Sequence, residues 1–259
     1  MVYSFLSKLY SLFNLKIADF ENHLEKCSDP EKPDLSILFI GNSFTYYDNM
    51  PLQLVNLAKE RFPDKQLRVY FQAGPGLKLG MHAEDKRTQE TLLNNGKWDI
   101  VVLQDQSEMA LNPFTTQIMR FNCRWFDKRI KQVHGKTALL MTWCDLSLPQ
   151  DQVPISNGYR DVARQLKATV IPAGELFLEV TQKSPEISLY GEDQHHPSHY
   201  GSFLVACLTE NILLHTKDEL LELVTKRKNG ETVLRADPIE QRLVEYADDF
   251  AIREMSRLV

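Results

Sequence analysis

The feature that most constrains this chain is an alternation in its central part. Short apolar runs of strand length exchange with longer stretches of helical period. The runs are Ser36 to Ile40, Leu67 to Phe71, Ile100 to Leu103, Thr137 to Thr142 and Thr169 to Ile171. Between them, Asn49 to Arg61, Ala83 to Leu93, Thr115 to Val133 and Ser156 to Lys167 repeat their apolar residues near every third or fourth position. A strand, helix, strand order favours parallel pairing, because right-handed crossovers place the helices on the faces of the sheet. The expected architecture is a three-layer α/β/α sandwich on a five-stranded parallel flavodoxin-like sheet.

At 259 residues the chain has the length of one domain with appendages. The expected divisions are an N-terminal helix and linker over 1–34, the sandwich over 35–216, and a helical tail over 217–259 packed on it. The first 17 residues place Phe5, Leu6, Leu9, Leu12, Phe13 and Ile17 at near-helical spacing, and the polar stretch to Asp34, with Pro30 and Pro33, reads as a linker. After the fifth strand the sequence suggests a polar loop, a helix from about Ser198 to Leu214, and another from about Pro238 onward.

A net charge of −5 with no long basic run argues against nucleic acid as a partner. No run reaches the roughly 20 apolar residues of a membrane span, and no cleavable leader is recognised. The cysteines at 27, 123, 144 and 207 form no metal or redox spacing, which fits free thiols and a cytoplasmic location. Oligomeric state is not legible in the sequence.

In open α/β sheets, ligands bind outside the carboxyl ends of the strands. After the first strand comes Gly41-Asn42-Ser43-Phe44-Thr45; after the second, Gly74-Pro75-Gly76; after the third, Gln104-Asp105-Gln106-Ser107; after the fifth, Asp193-Gln194-His195-His196-Pro197-Ser198. A hydroxyl, close backbone amides, side-chain amides and an acid–histidine pair therefore leave the sheet on one edge. A serine needs a base to become a nucleophile, and the base needs an orienting carboxylate, roles open to Ser43, His196 and Asp193. Donors for the developing oxyanion are the Ser43 amide, Gly76 or Gly74, and Gln106, with Gln104 nearby. Taken singly each has a plainer use: Ser43 as a turn residue, Gly-Pro-Gly as a turn, Gln104 and Gln106 as partners of loop backbone, Asp193 and His196 as caps of the next helix.

Together these residues resemble the SGNH, or GDSL-like, hydrolase superfamily. Ile37 to Thr45 is similar to its first block, strand then nucleophile, and the spacing of Asp193 and His196, followed by Pro197 and Ser198, is similar to its last. The resemblance implies an esterase or lipase-like serine hydrolase acting on a small-molecule ester of a small acyl group, acetylated carbohydrate included. It implies Ser43 as nucleophile, His196 as base, Asp193 as its orienting acid, and no cofactor. Two positions depart from the usual pattern: Asn42 stands for aspartate, and the third block has glutamines where Gly-x-Asn-Asp is usual. This resembles a subtype with a Gly-Asn-Ser-Phe-Thr first block and a Gln-containing third block, with Gln106 as oxyanion donor and Gly76 preferred to Gly74. An α/β-hydrolase elbow fits less well, since Thr45 stands where its second glycine belongs. Two alternatives are a divalent-metal site built from Asp193, His195, His196 and His199, with His82, and a non-catalytic binding module on the same scaffold. Trp125, Trp143, Tyr46 and Tyr47 are further candidates for pocket walls.

Overall fold

The computed structural model describes residues 22–93, 97–230, 235 and 237–257. The helix expected over 1–17 lies outside them. Six strands form one sheet: β1 (His23–Ser28), β2 (Leu35–Gly41), β3 (Leu67–Ala73), β4 (Ile100–Leu103), β5 (Lys136–Leu140) and β6 (Thr169–Ile171), in the order β1-β3-β2-β4-β5-β6. The five from β2 onward are parallel and have the flavodoxin-like order. Strand order therefore reverses at β2, between β3 and β4, and the ligand crevice of such a sheet opens there.

Helices cover both faces. They are α1 (Ser43–Tyr46), α2 (Met50–Arg61), α3 (Leu79–Glu84), α4 (Lys86–Leu93), α5 (Pro113–Gln132), α6 (Gln152–Leu166), α7 (Ala173–Lys183), α8 (His199–Leu214), α9 (Lys217–Lys228) and α10 (Pro238–Arg257). Strand β2 shows why both layers are needed. Ile37 and Phe39 pack with residues of α2, α7 and α8, while Leu38 and Ile40 pack with residues of α3, α5 and α6. Successive side chains point to opposite faces, so a strand apolar throughout is buried on both. On the outer side of α8, Leu243, Ala247 and Ala251 of α10 are buried in the same cluster as Leu204 and Leu208.

The structure corrects the sequence reading in three places. The stretch expected to be a linker contains β1, which pairs antiparallel with β3, so the sheet has one strand more than expected. Its side chains are mostly exposed, so the backbone ladder holds it and leaves no apolar run to read. The helix expected over 83–93 is two, because Asp85 is extended and its carboxylate accepts from Asn22 Nδ2, the Arg87 amide and Thr88 Oγ1. The loop expected after β6 begins with α7, which buries Ala173, Gly174, Leu176, Phe177 and Val180.

Candidate active site

The turn that carries Ser43 is shaped by its neighbours. Asn42 is extended and its Oδ1 accepts from the Phe44 amide at 3.1 Å, capping α1. Ser43 is thus the first helical residue, whose amide has no partner within the helix. The Gly41 carbonyl accepts from His82 Nε2 at 2.7 Å. The other ring nitrogen of His82 meets Thr88 Oγ1 at 3.1 Å, and burial pushes this histidine down to about 4, so it serves as a neutral donor beneath the turn.

Ser43 and His196 meet across the sheet edge. Ser43 Oγ lies 2.8 Å from His196 Nε2, and His196 Nδ1 lies 2.6 Å from Asp193 Oδ2. The His196 bond, followed by the amides of His195 and His196, holds the Asp193 carboxyl down at about 2. An ionised carboxylate only accepts, so Nδ1 carries the proton and Nε2 is left to take one from Ser43. The Asp193 Oδ1 accepts the amides of His195 and His196 at 3.1 and 2.9 Å, fixing the loop that carries His196.

Aromatic rings support the pair. Phe44 stacks on Trp143 at 4.5 Å, and Trp143 stacks on Phe177 at 4.3 Å. Trp143, fully buried, donates from Nε1 to the His195 carbonyl at 3.1 Å. It is therefore a floor beneath the loop rather than a pocket wall. Tyr46 stacks on Phe71, and Trp125 lies under the Arg129 guanidinium, neither beside Ser43 and His196. Tyr47 does reach the site: its ring stacks on His196 at 4.6 Å. Beside it a cleft of about 460 Å³ is lined by Tyr47, Asp48, Gly191, Glu192, His196 and His199.

The oxyanion candidates separate. Gly76 is the third residue of a turn closed by the Leu77 amide on the Gly74 carbonyl at 3.3 Å, and its φ of +64° is one glycine tolerates. A Cβ there would meet nothing within 4 Å, so its surroundings are open. Gln106 is half-buried and heads a short 3-10 turn, with its Oε1 accepting from the Glu108 amide at 3.3 Å. Gln104 does not belong with them. It is buried, its Oε1 accepts from the Asn42 amide and Thr45 Oγ1, both at 2.9 Å, and its Nε2 donates to the Asp105 carbonyl. The plainer use considered for it, satisfying loop groups, is the one it has here.

The histidines proposed for a metal face different partners. His195 Nδ1 pairs with Asp145, His199 sits between Asp48 at 2.5 Å and Glu240 at 3.4 Å, and His82 is buried under Gly41. Among the described residues no group of three or more acid, histidine or cysteine side chains converges on one point. The sequence reading had not connected His195 with Asp145; Asp145 follows β5 on the same sheet edge, which was the available signal.

No protein-family model and no curated protein matches the chain. Solved structures do. A protein of Slackia heliotrinireducens described as an SGNH hydrolase aligns over 69% of this chain and 98% of its own, with 22% identity and a TM-score of 0.58. A DUF4886 family protein of Bacteroides uniformis aligns over 85% of this chain and 95% of its own, with 18% identity and a TM-score of 0.65. The chain has the SGNH-hydrolase fold. An acetylxylan esterase of Geobacillus stearothermophilus, Axe2, aligns at 14% identity and a TM-score of 0.52, over 71% of this chain and 96% of that one. No described helix of the SGNH-like chain is long and apolar enough to cross a membrane.

Proposed function

We propose that the protein is a serine esterase in which Ser43 attacks the carbonyl of a small acyl ester. One observation carries this reading: the unbroken line from Ser43 Oγ to His196 Nε2 at 2.8 Å and from His196 Nδ1 to Asp193 at 2.6 Å. The Ser43 proton passes to Nε2 as the Oγ–C bond forms, and Asp193 stabilises the imidazolium. The Ser43 and Gly76 amides and the Gln106 side chain receive the oxyanion, each contributing about 3–4 kcal/mol. His196 then returns the proton to the departing alcohol, and water repeats the sequence on the acyl-enzyme.

A small acyl group fits because the ground beneath the nucleophile is filled by Phe44, Trp143 and Phe177 in a continuous stack. The likeness to an acetylxylan esterase agrees with an acetyl ester of a carbohydrate as substrate. The alcohol half then occupies the cleft beside Tyr47 and Asp48. Incubation with a fluorophosphonate probe should modify Ser43 stoichiometrically, and nitrophenyl acetate should be cleaved faster than longer-chain esters. Absence of labelling, under conditions where another serine hydrolase reacts, rejects the reading.

A further inference from the structure

The three loops at the sheet edge are tied to one another in a ring. From the first loop, Asn42 Nδ2 donates to the Leu77 carbonyl of the second at 3.0 Å. From the second, the Leu79 amide donates to Asp105 Oδ1 of the third at 2.9 Å. From the third, Gln104 Oε1 accepts the Asn42 amide and the Thr45 hydroxyl of the first, closing the ring. The same Asp105 oxygen accepts the Gln106 amide, also at 2.9 Å.

We infer that Asp105 is a positioning residue that sets the spacing of the oxyanion donors by clamping the Gly76 loop against Gln106, an inference that rests on the esterase reading above. Its carboxylate touches none of the reacting atoms. It sits where one oxygen holds both donor-bearing loops: Gln106 directly, and Gly76 through a turn and the first amide of α3.

Stability does not explain this carboxylate. Asp105 is buried and its Oδ2 has no hydrogen-bond partner among the described residues. Burying an unpaired carboxylate oxygen is costly, and burial pushes this group up to about 6. A residue kept against that cost at a sheet edge points to the geometry it imposes. The ring also accounts for Asn42: an aspartate there could not donate to the Leu77 carbonyl.

The inference separates the two effects of losing the clamp. Loose donors weaken stabilisation of the transition state, while the ground-state ester, held by the cleft, binds nearly as before. Asp105→Ala should lower kcat for a small acyl ester at least tenfold with KM within about twofold, and slow fluorophosphonate labelling of Ser43 by a similar factor. Asp105→Asn keeps an oxygen for both amides and should restore most of the rate. Should Asp105→Ala fail to fold, Asn42→Ala cuts a neighbouring tie and should show the same split between kcat and KM. Wild-type rates in Asp105→Ala, a KM that rises in step with the loss, or no recovery in Asp105→Asn would each overturn the inference. If wild-type Ser43 takes no label, it is the esterase reading that has failed.

Discussion

The ring of Tyr47 lies stacked on the imidazole of His196, with centroids 4.6 Å apart and planes 19° from parallel. The carbonyl of Tyr47 accepts from Ser202 Oγ at 2.9 Å, so the first turn of α8 fixes the residue that covers His196. The ring shields one face of His196 and limits its rotation away from Ser43. A well-placed ring pair is worth about 0.5–1.5 kcal/mol. Tyr47→Ala should lower kcat about three- to tenfold, and Tyr47→Phe, which keeps the ring, should stay near wild type. Steady-state kinetics on a short-chain ester checks both; equal losses in the two variants would assign the effect to the hydroxyl instead.

Ser43, His196 and Asp193 should behave as a unit. Ser43→Ala and His196→Ala should each reduce ester turnover by roughly three to six orders of magnitude, and Asp193→Asn by about 10⁴ or less. The double variant of Ser43 and His196 should be scarcely worse than either single one, since each loss already disables the same step. Turnover numbers from purified variants decide this. Additive losses would mean that the two side chains act in separate steps.

Much of this site was legible because its parts follow strands. The apolar runs at Ile37, Val69, Val101 and Ala138 are buried on both faces, which fixes parallel strands and therefore the edge where Ser43, Gly76 and Gln106 emerge. The link from Ser43 to His196 spans the sheet edge, and the sequence paired them through the resemblance of Asp193 and His196 to the last SGNH block together with the need of a serine for a base. Apart from the His195–Asp145 pair, what escaped has no periodic or chemical signature. Strand β1 is held mainly by its backbone ladder with β3, with only Cys27 packed on the core. Gln104 and Gln106 look alike as letters, but the loop buries the first against Asn42 and Thr45 and leaves the second half-buried at the head of a 3-10 turn. The ties of Asn42 to Leu77 and of Asp105 to Leu79 join a side chain to a backbone group, and backbone groups are the same at every position.

Two buried groups should pull stability in opposite directions with pH. His82 is held at about 4 against an ordinary 6.5, so its contribution is whole above 6.5 and is lost as pH falls towards 4, where the unfolded chain takes up a proton the folded one refuses. Asp105 is held at about 6 against an ordinary 3.8, so its contribution is whole below 3.8 and is lost as pH rises towards 6. Between pH 4 and 6 the slopes oppose, each at most about 1.4 kcal/mol per pH unit. Relative to wild type, Asp105→Asn should make stability climb more steeply with pH across this window, and His82→Asn should make it climb less or fall. Urea midpoints at half-unit pH steps measure the difference. Parallel profiles in all three proteins would show that neither group titrates as its burial implies.

Gly41 should tolerate no side chain. A Cβ there would lie 2.3 Å from Thr45 Oγ1 and 2.5 Å from Gln104 Oε1, displacing the two groups that hold the Ser43 turn. Gly41→Ala should cost about 1–3 kcal/mol of stability and reduce turnover at least tenfold even at temperatures where the variant is fully folded. Thermal melts with activity measured well below the midpoint separate the two losses. An active, stable variant would show that the turn has room to shift.

The helices that follow the two halves of the site are clasped at their far ends. Arg61, the last residue of α2, donates to Asn211 Oδ1 at 2.7 Å and to Glu210 on α8, and to both oxygens of Asp248 on α10 at 2.9 and 3.1 Å. Arg227 of α9 and Asn211 Nδ2 also donate to Asp248. Two guanidinium groups thus face two carboxylates, with the Asp248 side chain fully buried and that of Arg61 16% exposed. Such a cluster adds little over an apolar replacement, but removing one member strands the others without compensation, at about 3–5 kcal/mol. Asp248→Ala should lower stability by that amount. Replacing Arg61, Arg227, Glu210 and Asp248 together with apolar residues should cost less than the single change. Because α2 and α8 start beside Ser43 and His196 but are joined here at their opposite ends, kcat of Asp248→Ala well below its melting point should stay within about threefold of wild type. A larger fall in the folded variant would mean that the clasp sets the angle between the two helices, and with it the distance between nucleophile and base.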